Sequence, residues 1–246
     1  LRFLTVKTPN LLGRGDICLY LPRATEGLLD LPIYILLHGV YGSAWSWALQ
    51  GGVHRSALHF MKEGEIKPAI IAMPSDGLWG DGTAYLPHHR RDFEQWIVKD
   101  VPQAIREVIP QAGEASPLFI GGLSMGGYGA LMLGAKYPTL FQGISAHSAI
   151  TRFEEMALFV EEPLSVYQKD QVPPDVIDLL RENRDQLPPL RFDCGRKDPL
   201  LTGNRLLREQ MSQEQIPYHY EEFEGGHDWA YWQEQVKKTL LFFAKA

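Results

Sequence analysis

Two hydrophobic rhythms alternate along this chain. The runs Ile33–Leu37 and Ala69–Met73 are wholly apolar and short, the look of strands buried on both faces; Pro74 closes the second. Phe93, Trp96, Ile97, Val101, Ile105 and Val108 instead recur at helical spacing and predict a helix over 93–108. Further strands are expected at Leu118–Ile120, Phe141–Ala146, Leu190–Cys194 and Tyr218–Phe223, with helices at Gly129–Tyr137, Leu201–Gln213 and Trp229–Phe243. Ahead of these, Leu1–Thr8 and Asp16–Leu21 flank the turn signal Gly13-Arg14-Gly15 and predict an opening hairpin. From Ile33 onward strand and helix alternate. That order calls for an α/β fold whose mainly parallel sheet is covered by helices on both faces.

One region interrupts the rhythm. Residues 150–190 carry weak helical patterning and the proline-rich pieces Val172-Pro173-Pro174-Asp175 and Leu187-Pro188-Pro189. The stretch is too long for a plain connection and too short for a separate domain. It reads as a small cap-like insertion near a pocket mouth, with a decoration remote from any site as the alternative. No linker divides the rest, so residues 1–246 are expected to form one domain.

Composition narrows the function classes. Among 246 residues, 24 are basic and 30 acidic, a net charge of −6. This argues against a nucleic-acid partner and supplies no polybasic surface for membranes. No apolar run approaches the roughly 20 residues of a membrane span. Cys18 and Cys194 each fall in a predicted strand and are expected to be buried free thiols, with a disulfide or thiol catalysis as alternatives. A cytoplasmic protein is expected, while the opening with Leu1 rather than Met, as after removal of an upstream segment, keeps secretion open.

Chemistry concentrates at Gly122-Leu123-Ser124-Met125-Gly126, between an apolar strand and the helix-forming run Ala130–Lys136. A Gly-x-Ser-x-Gly segment in that setting is a nucleophile elbow, which lifts the serine hydroxyl clear of the sheet on a strained turn. The helix behind Ser124 directs free N–H groups and the positive end of its dipole at any anion forming there.

A serine hydroxyl needs a base to take its proton, and an acid to hold that base in the right tautomer. Asp198 lies in Gly195-Arg196-Lys197-Asp198, a turn leaving the end of the Leu190–Cys194 strand, where catalytic groups collect in open parallel sheets. His227 follows the final strand in Gly225-Gly226-His227-Asp228-Trp229, before the last helix. Asp193 is the competing acid, but its mid-strand position suggests that it satisfies backbone donors. Asp228 is expected to cap the helix that follows it. His38 is expected to brace the loop after the Ile33–Leu37 strand, His88 and His89 to open a helix, and His147 to end a strand structurally. No pair of histidines has metal-ligand spacing with carboxylate or thiolate support, so neither metal nor cofactor is expected.

Acyl chemistry also needs donors for the tetrahedral oxyanion. The Met125 N–H, directly after the nucleophile, is one candidate; the Val40 N–H, in Leu37-His38-Gly39-Val40-Tyr41-Gly42-Ser43, is the other. The loop Met73–Pro87, with Asp76, Trp79, Asp81 and Tyr85, follows a strand end and is expected to wall the pocket. Tyr41, Trp79 and Trp229 are the substrate-pocket candidates, with Trp45 and Trp47 on neighbouring loops.

With these residues in hand, the chain resembles the esterase D branch of the α/β hydrolases. The branch includes S-formylglutathione hydrolases, tributyrin-type carboxylesterases, feruloyl and acetyl-xylan esterases, enterochelin esterases and mycolyltransferase antigens. The resemblance rests on Leu37–Val40, Gly121–Gly129, Asp193–Asp198 and Gly225–Trp229 with Trp232 behind it. It implies an α/β-hydrolase fold of about eight strands with a short insertion in place of a large lid. It implies Ser124 as nucleophile, Asp198 as acid, His227 as base, and Val40 and Met125 as oxyanion donors. The expected activity is cofactor-independent hydrolysis of small-acyl or carbohydrate-linked esters, small-molecule substrates, through an acyl-serine intermediate. Thioester cleavage or acyl transfer on the same machinery, and a non-catalytic binding protein on a hydrolase fold, are the alternatives.

Overall fold

In the computed structural model, which describes residues 1–23, 25–167 and 173–246, ten strands and eight α-helices follow one another among the described residues. The chain opens with β1 (Arg2–Thr8), β2 (Gly13–Tyr20) and β3 (Ile33–Leu37), then α1 (Ser46–Leu49), α2 (Val53–Lys62) and β4 (Ile70–Pro74). A small hairpin, β5 (Pro87–His88) and β6 (Arg91–Asp92), precedes α3 (Phe93–Gln95) and α4 (Val101–Val108). The second half runs β7 (Leu118–Leu123), α5 (Met125–Lys136), β8 (Phe141–His147), α6 (Val176–Glu182), β9 (Leu190–Gly195), α7 (Leu201–Gln213), β10 (His219–Phe223) and α8 (Trp229–Phe243).

Eight of the strands form one sheet in the order β1-β2-β4-β3-β7-β8-β9-β10. Only the β1–β2 and β2–β4 pairings are antiparallel; the rest are parallel. The expected α/β-hydrolase architecture is therefore present, with an antiparallel edge. Strand β3 shows why it is buried on both sides. Ile33, Ile35 and Leu37 belong to one core with Trp96, Ile105 and Leu131, whereas Tyr34 and Leu36 join Trp47, Val236 and Phe243 in the other. Each such side chain contributes about 1.5–3 kcal/mol on burial, so both faces of the sheet need helices over them.

Several sequence expectations shift. Gly13 and Gly15 lie within β2 rather than in the turn, and a Cβ at Gly15 would overlap the Trp96 indole. The turn is made earlier, where the Leu12 N–H donates to the Pro9 carbonyl at 3.1 Å with Leu12 at φ 50°. His88 and His89 do not open a helix. His88 pairs with Arg91 in the β5–β6 hairpin, and His89 and Arg90 make its turn at φ 49° and 61°. Asp92 then caps α3, its side chain accepting from the Gln95 N–H.

The predicted helix over 93–108 exists but contains a π-turn at Trp96–Asp100. Pro102 lies at the start of α4 and lacks an N–H, and widening of the preceding turn relieves its crowding against the Val98 carbonyl. Helix α5 starts at Met125, four residues before the expected start. Helix α2 was not anticipated, because only Val53 and Ala57 along it are fully buried. Of the expected insertion, residues 168–172, which include Val172, lie outside those described. The described part holds short 3-10 turns at Phe153–Leu158 and Leu164–Tyr167, followed by α6. No helix of the described residues is long and apolar enough to cross a membrane.

Candidate active site

The turn from β7 into α5 is closed by backbone contact. A Cβ at Gly122 would overlap the Gly126 carbonyl, and one at Gly126 would overlap the Leu37 and His38 carbonyls. Only hydrogen fits at either position. Ser124 sits between them at φ 55° and ψ −120°, a conformation that costs a non-glycine residue of order 1–3 kcal/mol and is held only by its surroundings. Its N–H donates to the His147 carbonyl at 3.0 Å, and its carbonyl accepts from Tyr128 N–H at 3.0 Å and Ile150 N–H at 3.2 Å. Three adjoining segments thus fix the strained residue.

The structure brings Ser124, His227 and Asp198 together. His227 Nε2 lies 2.9 Å from Ser124 Oγ, while Nδ1 lies 2.9 and 3.1 Å from the two Asp198 oxygens. Because Nδ1 faces a carboxylate, it carries the ring proton, and Nε2 is left to accept from the serine hydroxyl. Asp198 is buried and also accepts from the Leu200 N–H at 2.9 Å, which orients its carboxylate. The turn carrying it is pinned to the His227 loop by Lys197 N–H donating to the Gly225 carbonyl at 2.9 Å.

Asp193 has a different role from the one expected of it. Among the described residues its side chain serves no backbone donor. Its carboxylate accepts from His147 Nδ1 at 2.8 Å, Arg191 at 2.7 Å and the Tyr231 hydroxyl at 2.8 Å. Burial opposes its charge, but His147, Arg191 and the Tyr231 hydroxyl outweigh that cost and hold the carboxyl down at about 2. Thr239 completes the cluster, 2.8 Å from His147 Nε2. The group ties β8, β9 and α8 together beneath the site. Asp228 caps α8 as expected, accepting from the Tyr231 N–H.

The loop after β3 faces Ser124 from the other side. His38 Nε2 accepts from the Asp76 N–H at 3.0 Å, so Nδ1 bears the proton and donates to the Gly39 carbonyl at 2.7 Å. The Tyr85 hydroxyl donates to the His38 carbonyl at 2.9 Å. His38 therefore braces the loop. Among the described residues, neither Val40 N–H nor Met125 N–H donates to another backbone group. The positive end of α5 lies at Met125.

A cavity of about 280 Å³ opens over Ser124 and His227, lined by Val40, Tyr41, Trp45, Phe159, Trp229 and Trp232 among others. Tyr41 and Trp229 are among its lining residues. Trp79 does not line it; the indole stacks on His89 (4.3 Å between ring centroids) and packs edge-on against His88 and Tyr167. Phe159, from the 150–190 stretch, was not singled out from sequence, since one aromatic in a weakly patterned stretch carries no periodic signal. Cys18 and Cys194 are buried free thiols away from this cavity, and burial raises both above the usual thiol range. Among the described residues no three His, Cys, Asp or Glu side chains gather closely enough to hold a metal ion.

Comparison with known proteins agrees with this architecture. An "Acetyl esterase" from Caldicellulosiruptor saccharolyticus is 27% identical over 235 residues, spanning 88% of this chain and 84% of that protein. Among solved structures, a ferulic acid esterase superposes with a TM-score of 0.88 at 23% identity, covering 99% of this chain and 96% of the other. An S-formylglutathione hydrolase from Staphylococcus aureus superposes with a TM-score of 0.82 at 19% identity, covering 99% and 98%. The family model described as "Putative esterase" matches residues 11–243. Spanning nearly the whole chain, that match shows that this protein belongs to the esterase family, as a hydrolase of carboxylesterase type.

Proposed function

We propose that this chain hydrolyses small-acyl or carbohydrate-linked carboxylic esters through an acyl-serine intermediate, with Ser124 as nucleophile, His227 as general base and acid, and Asp198 as the group that orients and stabilises the imidazole. The continuous contact from Ser124 Oγ through His227 to Asp198 carries this reading. In the first half-reaction Ser124 Oγ attacks the ester carbonyl carbon as its proton passes to His227 Nε2. The tetrahedral oxyanion is received by the Val40 and Met125 amides. Collapse breaks the bond to the alcohol oxygen, which takes the proton from His227. Water then repeats the sequence on the acyl-enzyme and releases the acid.

The acetyl esterase relative supports a small acyl group, and a 280 Å³ cavity with aromatic walls suits such a group beside a larger alcohol. Residues 1–246 act on this reading as one catalytic domain, with the 150–190 stretch as its cap-like insertion. One sheet running from Arg2 to Phe223 supports that division.

Ser124→Ala and His227→Ala, assayed with p-nitrophenyl acetate, butyrate and octanoate, test the mechanism. Both should fold with an unchanged circular dichroism spectrum and lose activity by about 10⁴-fold or more. Retained activity in Ser124→Ala would end it. Extending the panel to feruloyl, acetyl-xylan and S-formylglutathione substrates separates ester from thioester specificity.

A further inference from the structure

Resting on the esterase reading above, we propose that Asp81, held between Gly80 and Gly82, is a positioning residue that sets the oxyanion loop and couples it to the insertion. Tyr41, directly after Val40, stands at φ 56°, a left-handed conformation that its side chain disfavours. What holds it there is Asp81. The Asp81 carbonyl accepts from the Tyr41 N–H at 2.8 Å, and Asp81 Oδ2 accepts from the Tyr41 hydroxyl at 3.1 Å. The bond to the Asp81 carbonyl fixes the Val40–Tyr41 peptide, and the Val40 N–H belongs to the peptide just before it, so holding Tyr41 restricts the Val40 dihedrals that aim that N–H.

The same aspartate is fastened from outside by the insertion. Oδ2 accepts from the Glu161 N–H at 2.7 Å, and the Asp81 N–H donates to Glu162 Oε1 at 2.9 Å. The Glu161 contact, acting first among several, holds the Asp81 carboxyl below the ordinary carboxylate range. The flanking glycines explain how the segment fits so closely. Gly80 stands at φ 56°, and a Cβ there would overlap the Glu162 carboxylate. A Cβ at Gly82 would lie 2.5 Å from Met125 Sδ and 3.2 Å from Val40 Cγ1, the side chains of the two proposed oxyanion residues. Next along, the Ala84 N–H donates to Met125 Sδ at 3.3 Å. Gly80-Asp81-Gly82 is thus a wedge with the insertion on one side and both candidate donors on the other. Phe159, two residues before Glu161, lies on the His227 ring, so one short segment touches both halves of the machinery.

The test compares wild type, Asp81→Ala, Asp81→Asn and Ser124→Ala, using p-nitrophenyl acetate turnover and inhibition by an alkyl trifluoromethyl ketone. That ketone bonds its carbonyl carbon to Ser124 Oγ, sends the serine proton to His227 and places an oxyanion in the proposed hole. Asp81→Ala should lower kcat about 10- to 100-fold with KM within threefold, and weaken the ketone in parallel with kcat/KM. Asp81→Asn, which keeps one acceptor oxygen, should lose about two- to fivefold in both readouts. A role in stability alone would lower Tm and leave kcat and ketone affinity alone at 20 °C; that result overturns the inference. Should Asp81→Ala fail to fold, Asp81→Asn decides: kcat and ketone affinity both equal to wild type overturn it. Activity retained by Ser124→Ala removes the esterase mechanism and this inference with it, whereas an inactive Ser124→Ala beside an unaffected Asp81→Ala removes the inference alone.

Discussion

The phenyl ring of Phe159 lies flat on the imidazole of His227, with ring centroids 4.8 Å apart and planes 24° from parallel. Trp232 meets the same imidazole edge-on at 5.0 Å. His227 is therefore gripped by two aromatic rings as well as by Asp198, and its side chain keeps only 15% of its exposure. Such a ring cannot swing away from Ser124 without losing these contacts.

Phe159→Ala should accordingly loosen the imidazole without unfolding the protein. Aromatic pairs of this kind contribute about 0.5–1.5 kcal/mol, so kcat/KM should fall roughly 2- to 10-fold. Phe159→Tyr, which keeps the stacked face, should restore most of it. Short-chain esterase kinetics beside a melting curve check this; unchanged kcat/KM in Phe159→Ala would show that the stack does not hold the His227 imidazole.

Asp193 and Asp198 should respond differently to the same chemical change. Asp198→Asn leaves the fold intact but no longer favours the tautomer that presents a bare Nε2 to Ser124, so kcat should drop by about 10⁴ with little change in Tm. Asp193→Asn leaves Arg191 charged and buried beside His147, and should lower stability by about 3–5 kcal/mol. Denaturant titrations and steady-state kinetics on the pair distinguish the roles. A stable, inactive Asp193→Asn together with an active Asp198→Asn would exchange them.

Acid should destabilise the protein in two separate windows. Burial, outweighing the Thr83 carbonyl, lowers His88 from 6.5 to about 4. The unfolded chain then binds a proton that the folded one refuses. Stability is complete above pH 6.5 and is lost as pH falls toward 4, by up to about 3 kcal/mol. Asp193, lowered from 3.8 to about 2, is charged in the fold, and its contribution disappears only between those lower values. Melting temperatures from pH 7.5 to 4 should fall steeply in wild type and less so in His88→Gln; equal slopes would remove His88 as the cause.

Much of the site was legible before any coordinates. The elbow, the Gly195–Asp198 turn and the Gly225–Gly226–His227 loop each sit at a strand end, and glycine marks each of those ends in the local sequence. Helices α7 and α8 matched their predicted bounds because their apolar positions repeat at helical spacing. The start of α5 was misjudged for the opposite reason. Gly126, Gly127 and Gly129 are poor helix formers, and their presence is decided by the backbone and side chains pressed against them. The β5–β6 hairpin escaped notice because His89 and Arg90 adopt positive φ without the usual Asn-Gly marker.

What the chain alone determined is the candidate set of Ser124, Asp198 and His227 and its order on a mainly parallel sheet, since hydrophobic period and glycine placement are written residue by residue. Tertiary structure decided everything that depends on meeting across that sheet. It turned Asp193 inward to Arg191 and His147, carried Trp79 away to His89, laid Phe159 on His227 and set Asp81 behind Tyr41. Most of these contacts join residues far apart in sequence, and their energies come from burial and hydrogen-bond geometry that exist only once the layers have closed.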